Sequence, residues 1–258
     1  MTLRELTDDA FLGGKLHILQ PAKGFRSGLD AVLLAAAVPA VTEHRGRVLD
    51  AGAGVGVVGL AIAARCPGAT VTLVEIDAET AALAQRNADR NAMADRVKVV
   101  IADVSAGGRL LHDPSRPDGL APAAFDHLVT NPPYFAVGAG TPPASRGRAG
   151  AHQMAEGSLD RWIAFLATAA AADATLTMIH RADALADVLK ALDGRFGHVR
   201  IVPVRSHDEA IAGRIVVAAT KGSRAPLEIR PDLIIHGADG RVLPPVEAIL
   251  RHGAAFAI

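Results

Sequence analysis

From residue 46 to about 205 the chain alternates short apolar runs with longer stretches in which apolar positions recur every three or four residues. Short runs bounded by turn residues predict strands and the longer periodicity predicts amphipathic helices. Their regular alternation predicts βαβ units around a parallel sheet. Strands are predicted at 47–51, 70–76, 97–101, 126–130, 174–180 and 198–204, and helices at 56–65, 78–91, 158–172 and 183–195. Asp77, Ser158 and Asp183 stand where N-caps belong. A further strand over 214–220 gives a doubly wound α/β fold with a mostly parallel, seven-stranded sheet.

The flanks read differently. Residues 1–45 hold a Gly-Gly at 13–14 with the pattern of a hairpin, a loop from Gln20 to Gly28, and an apolar helical pattern from Asp30 to Val41. They form an extension to a core at 46–220, and residues 221–258, with a short strand near 233–236 and a helix at 245–252, form a second extension packed on it. The Gly- and Pro-rich stretch 107–124 cannot continue a helix or a central strand and reads as a surface excursion. A second loop, Gly138 to Gly150, carries Arg146 and Arg148. No internal repeat is visible.

Composition narrows the function classes. Half of the 258 residues are hydrophobic, and 27 Lys and Arg balance 27 Asp and Glu. Zero net charge argues against a globally basic nucleic-acid binder, so any RNA surface is a local patch, for which Arg146, Arg148, Lys221 and Arg224 are the candidates. The plain alternative for these four is solvated surface charge. Cys66 is the only cysteine, and no Cys/His group has zinc spacing, so neither a disulfide nor a metal is expected. No leader pattern opens the chain, and the Ala-rich stretches 31–41 and 163–172 are too short to span a bilayer. A cytoplasmic address without a membrane partner is the expectation.

The first predicted strand runs into Asp50-Ala51-Gly52-Ala53-Gly54-Val55-Gly56, and a helix follows. Glycines here let the backbone turn sharply and let a ligand approach closely. Read as Gly54, Gly56 and Gly59 with Glu75 about twenty residues on, the same loop also satisfies a dinucleotide pattern. Asp50 favours S-adenosylmethionine, because a carboxylate before the first glycine can attract the cofactor's ammonium group directly or through water. Glu75, with Ile76 beside it, ends the second strand and can accept from both ribose hydroxyls, and Asp103 can reach the adenine amino group. The structural alternative is that Asp50 and Asp103 only cap helices.

The fourth strand ends in Asn131-Pro132-Pro133-Tyr134. Consecutive prolines stiffen the backbone and remove two N–H donors, leaving carbonyl acceptors. Asn131 Oδ1 and the Pro132 carbonyl can hold the two hydrogens of a planar amino group and turn its lone pair toward a methyl donor. Tyr134, the only tyrosine, can stack on a flat base or amide; for a nucleobase, that requires a nucleotide swung out of its stack. His152 follows the adjacent loop and is a candidate for touching RNA or orienting Tyr134, although a structural or exposed histidine is the commoner case. Cys66 is assigned no chemistry.

The glycine loop and the Asn-Pro-Pro-Tyr segment together resemble the NPPY class of amino-methyltransferases, which have a Rossmann-like class I fold. Leu12-Gly13-Gly14-Lys15 through Gln20-Pro21-Ala22-Lys23-Gly24-Phe25-Arg26-Ser27-Gly28-Leu29-Asp30-Ala31-Val32-Leu33-Leu34 resembles the N-terminal signature of the tRNA(Val) adenine N(6)-methyltransferase family. Lys221-Gly222-Ser223-Arg224-Ala225-Pro226-Leu227, Leu233-Ile234-Ile235-His236 and Ala248-Ile249-Leu250-Arg251 resemble its C-terminal region. The resemblance implies S-adenosylmethionine as cofactor, S-adenosylhomocysteine as product, tRNA as partner, and methylation of an adenine amino group beside the anticodon. It also implies that Asp30 and the loop before it close over the cofactor, with Asn131 reaching both cofactor and target. Three other readings compete. A glutamine methyltransferase acting on protein would carry a helical domain larger than 45 residues before the glycine loop, and a guanine-specific rRNA enzyme would carry a duplicated domain. A non-catalytic RNA-binding protein would have no use for an intact Asn131-to-Tyr134 motif.

Overall fold

The computed structural model describes residues 5–24, 26–39, 46–112, 120–133 and 158–258. In chain order these form β1 (Leu6–Phe11), β2 (Leu16–Pro21), α1 (Leu29–Ala37), β3 (Arg47–Ala51), α2 (Val57–Arg65), β4 (Thr70–Glu75), α3 (Ala78–Arg90), β5 (Val97–Ile101) and β6 (Phe125–Thr130). There follow α4 (Ser158–Ala169), β7 (Ala170–Arg181), α5 (Leu185–Leu192), β8 (Phe196–Arg205), β9 (Arg214–Lys221), β10 (Glu228–Ile229), β11 (Leu233–Ile234) and α6 (Pro244–His252).

The long strands lie in the order β8-β9-β7-β6-β3-β4-β5, with the two-residue β10 and β11 added along β8. All pairs are parallel except those of β9, which runs antiparallel to both β7 and β8. Because the strands are covered on both faces, their apolar residues are nearly continuous and alternate between two cores. Val48, Leu73, Val129 and Ile179 face one core with α1, α2, α3, α6 and the N-terminal hairpin. Leu49, Val74, Leu128 and Met178 face the other, with α4 and α5. The chain steps outward through β3, β4 and β5, then returns to place β6 on the other side of β3. That reversal opens a crevice at the carboxyl ends of β3 and β6, where α/β folds bind ligands.

The Gly13-Gly14 hairpin forms as expected, as a two-stranded sheet of β1 and β2. The outer edge of β2 is covered by a helix. Asn91 exchanges hydrogen bonds with the backbone N–H and C=O of His17, and Asn87 does the same at Leu19. One turn apart on α3, these two side chains act as a substitute strand.

Several elements end where tertiary structure dictates. The first long helix stops at Ala37 because Val38, before Pro39, is extended at φ −70° and ψ 129°. The helix predicted over 158–172 ends at Ala169, since the chain there enters β7, where Ala170 pairs with Phe125 of β6, and strand formation outweighs alanine's helical preference. Asp77 caps α3, accepting from the Thr80 N–H at 2.8 Å. Asp183 does not cap a helix: it lies in a short 3-10 turn, paired with Arg181, and α5 begins at Leu185. Ser158 is the first residue of α4. The 107–124 excursion is anchored at both ends, because Gly108–His112 forms a 3-10 turn against α4 and Leu111 and Leu120 are buried. Residues 138–150 lie outside the described residues.

Candidate active site

Three carboxylates sit at the ends of the neighbouring strands β3, β4 and β5. Asp50 is buried, and its Oδ2 accepts from the Gly59 N–H at 2.9 Å, tying the end of β3 to the first turn of α2. Burial pushes its carboxyl up to about 7, with the Gly59 N–H opposing the shift and the nearby Glu75 adding to it. Glu75 Oε2 accepts from the Gly54 N–H at 2.9 Å, while Oε1 accepts from the N–H groups of Ile76 and Asp77. The carboxylate thus stitches the glycine loop to the turn after β4. Ile76 is 62% exposed, an apolar surface left at the rim beside it. Asp103 caps a short 3-10 turn, its Oδ1 accepting from Ser105 N and Oγ at 2.8 and 2.6 Å.

The loop between these carboxylates is shaped by its glycines. Gly54 has φ +57°, and a Cβ there would meet nothing within 4 Å, so the loop is open above it. Gly52 has φ +74°, and a Cβ would lie 2.8 Å from Trp162 Cζ2. A second support comes from Asn87, fully buried, which donates to Val55 O at 3.0 Å and so joins the loop to the N-terminal hairpin.

The Asn-Pro-Pro turn leaves the adjacent strand at the same level. Ala51 and Thr130, the residues just before Gly52 and Asn131, are register partners in the β3–β6 pair. Asn131 and Pro133 are half-buried and Pro132 is buried. Tyr134, Arg146, Arg148 and His152 lie outside the described residues.

The fold separates the other candidate cations from this rim. Because β9 runs antiparallel, it starts at Arg214 opposite Arg181, at the site end of β7, and finishes at Lys221 opposite Phe196, the first residue of β8. Lys221 also donates to the carbonyl of Ala170, the first residue of β7. Lys221, and Arg224 beyond it, are therefore carried to the opposite end of the sheet, a reversal that sequence periodicity does not encode. Arg181 and Arg214 are instead brought to the site end, where they carry Asp183 and Asp30 as counter-ions. Asp30, in the first turn of α1, thus sits on the β7–β9 side of the rim. Among the described residues no helix is long and apolar enough to cross a membrane, and no group of three or more His, Cys, Asp or Glu side chains has metal-site geometry.

Three side chains that hold the site were not singled out in the sequence. Trp162 and Asn87 support the glycine loop, and Gln20 closes the loop that precedes α1. Gln20 is buried, and its amide pairs with both the N–H and the C=O of Ser27 while donating to Asp9. A signal was present for one of them: two asparagines four residues apart in an otherwise ordinary helix.

Residues 28–145 match the model of the methyltransferase small domain. A crystal structure of a predicted O-methyltransferase from Agrobacterium tumefaciens superposes with a TM-score of 0.74 at 31% identity, covering 89% of this chain and 99% of that one. The chain belongs to the methyltransferase small-domain family. A tRNA1(Val) (adenine(37)-N6)-methyltransferase from Porphyromonas gingivalis is 29% identical to this methyltransferase over 92% of the chain and 91% of its own length. One of the same name from Bacteroides fragilis is 36% identical over 47% of the chain and 46% of its own length. The chain thus spans about half the length of the first curated relatives it matches. The cofactor is S-adenosylmethionine, and the cradle fits it: an open glycine loop, carboxylates at three consecutive strand ends, and an exposed aliphatic side chain between the last two.

Proposed function

We propose that this methyltransferase transfers a methyl group to the exocyclic amino nitrogen of an adenine in tRNA, the substrate named for its relatives. The observation that carries the reading is the register of β3 and β6, which sets the glycine cradle and the Asn-Pro-Pro turn side by side at the sheet's switch point. Bound S-adenosylmethionine supplies an electrophilic methyl carried on sulfonium sulfur. Glu75, already oriented by three backbone N–H groups, accepts from the ribose hydroxyls, Ile76 covers the adenine ring, and Asp103 reaches its amino group. Asp50 acts through the field of a buried carboxylate and through the loop it braces, which suits the water-mediated form of its contact with the ammonium group. The loop from Gln20 to Gly28, with Asp30 behind it, closes over the cofactor.

On the substrate side, Asn131 Oδ1 and the Pro132 carbonyl accept the two amine hydrogens and hold the nitrogen lone pair in line with the methyl. No strong base is required, because the nitrogen becomes acidic once alkylated and alignment supplies the rate. Tyr134 stacks on the extruded base, and Arg146 and Arg148 contact its phosphates. The test is to incubate the protein with labelled cofactor and total tRNA, total rRNA and total protein, then identify the modified residue by mass spectrometry. N6-methyladenosine in tRNA is the expected product. Methylguanosine in rRNA or methylglutamine in protein would replace this reading with a different substrate class.

A further inference from the structure

Past Ala51 and Thr130 the β3–β6 ladder stops, and the cradle and the Asn-Pro-Pro turn run on without a shared backbone ladder. What joins them there is a buried chain of two side-chain hydrogen bonds. Trp162 Nε1 lies 2.9 Å from Thr130 Oγ1, which lies 2.8 Å from the Ala51 carbonyl oxygen. The polarity of this chain is fixed by chemistry: an indole N–H only donates and a carbonyl only accepts. Thr130 therefore accepts from Trp162 and spends its single proton on Ala51. The far edge of the same indole lies against Gly52, where a Cβ would fall 2.8 Å from Cζ2 and 3.0 Å from Cη2.

One tryptophan on α4 thus touches the first glycine of the cradle with its ring and the residue before Asn131 with its N–H. We propose that Thr130 and Trp162 are positioning residues for methyl transfer, fixing the distance between the cofactor cradle and the amine-binding turn through the Trp162–Thr130–Ala51 chain. Neither touches substrate or cofactor. Their effect is on alignment, and a misplacement of about 1 Å in a group-transfer site costs on the order of 100-fold in rate. If Thr130 served only to fill the core, the shape-conserving change Thr130→Val would leave turnover intact.

The inference rests on the methyltransferase reading above, and its test separates the two. Wild-type turnover on total tRNA comes first: no transfer to any substrate class defeats the functional reading. With transfer established, Thr130→Val is expected to lower kcat about 10- to 100-fold per cofactor-binding site, with S-adenosylhomocysteine affinity by calorimetry changed less than about threefold. Thr130→Ser, which keeps the hydroxyl, restores kcat. Trp162→Phe, which also removes the ring edge against Gly52, is impaired at least as much as Thr130→Val, and the double variant is no worse than Trp162→Phe, because both cut the same chain. Trp162 is the only tryptophan, so a single indole N–H resonance reports the bond by NMR; it moves in Thr130→Val and stays in Thr130→Ser. Full turnover in Thr130→Val, equal impairment of the serine variant, additive losses in the double variant, or an indole resonance indifferent to Thr130→Val would each overturn the proposal.

Discussion

Asp50 and Glu75 end neighbouring strands, yet they answer to different forces. Glu75 takes three backbone N–H groups and stays at the rim, while Asp50 is enclosed and burial lifts its carboxyl to about 7. An acid whose folded-state pKa lies above its unfolded value stabilises the fold most when protonated. That contribution is complete below the unfolded value near 3.8 and is lost as pH rises through about 7. The ligand-free protein should therefore lose stability to urea across this window relative to Asp50→Asn, in which the group does not titrate. A cationic ammonium nearby favours the ionised form, so cofactor binding near pH 7 releases part of a proton. Calorimetry in buffers of different ionisation heat should show that release in the wild type and not in Asp50→Asn; buffer-independent heats in both would refute it. Asn131→Ala and Glu75→Ala divide the chemistry further. The first should abolish transfer with cofactor affinity nearly intact, and the second should weaken cofactor binding by about 1–3 kcal/mol, as loss of charge-assisted hydrogen bonds does. Loss of affinity in Asn131→Ala, or its retention in Glu75→Ala, would reverse the assignments.

At the level of elements, what the sequence discloses follows from what is local. Apolar runs such as Val48-Leu49 and Leu128-Val129, the Asp77 cap and the two loop motifs carry their own geometry, so the parallel core and the placement of Asn131 beside Gly52 were legible. The direction of β9 was not, because an antiparallel strand buried on both faces has the same apolar pattern as a parallel one. Lys221 and Arg224, candidates for an RNA patch, are consequently led away from the site rim by the strand that carries them. The pairing of α3 with β2 was also hidden, since it depends on side chains imitating backbone. Asn87 spends both its N–H groups and its carbonyl on Leu19 and Val55. Asn87→Ala strands the buried Val55 carbonyl and the partly buried Leu19 N–H and C=O, and should cost about 2–4 kcal/mol in urea unfolding. Since Val55 belongs to the glycine loop, cofactor affinity should fall with it. A loss below about 1 kcal/mol with affinity unchanged would show that the hairpin and the loop are independent.

Across the whole molecule, the N-terminal hairpin and α6 are packed into the core that covers one face of the sheet. Leu12, Leu16 and Ile18 of the hairpin share a cluster with Val246 and Ile249 of α6, and α1 packs between α6 and the sheet while β2 packs on α2 and α3. Polar contacts close the same seam. Lys15 donates to the His252 carbonyl at 3.1 Å, and the Phe256 N–H donates to Ala36 O at 3.1 Å. The tightest point is Gly13, where a Cβ would stand 2.4 Å from the backbone oxygen of Arg251; at Gly14, the next residue, a Cβ would meet nothing within 4 Å. Both glycines have positive φ, +67° and +90°, so alanine at either pays for backbone strain, but only Gly13→Ala also drives the hairpin tip off α6. Gly13→Ala should therefore lower the urea midpoint by the equivalent of about 1–3 kcal/mol more than Gly14→Ala, the usual cost of overpacking. Because the hairpin leads into the loop that Gln20 closes, the same variant should also weaken cofactor binding while Gly14→Ala does not. Equal midpoints for the two variants would mean that the hairpin–α6 seam contributes nothing to holding the N-terminal segment over the site.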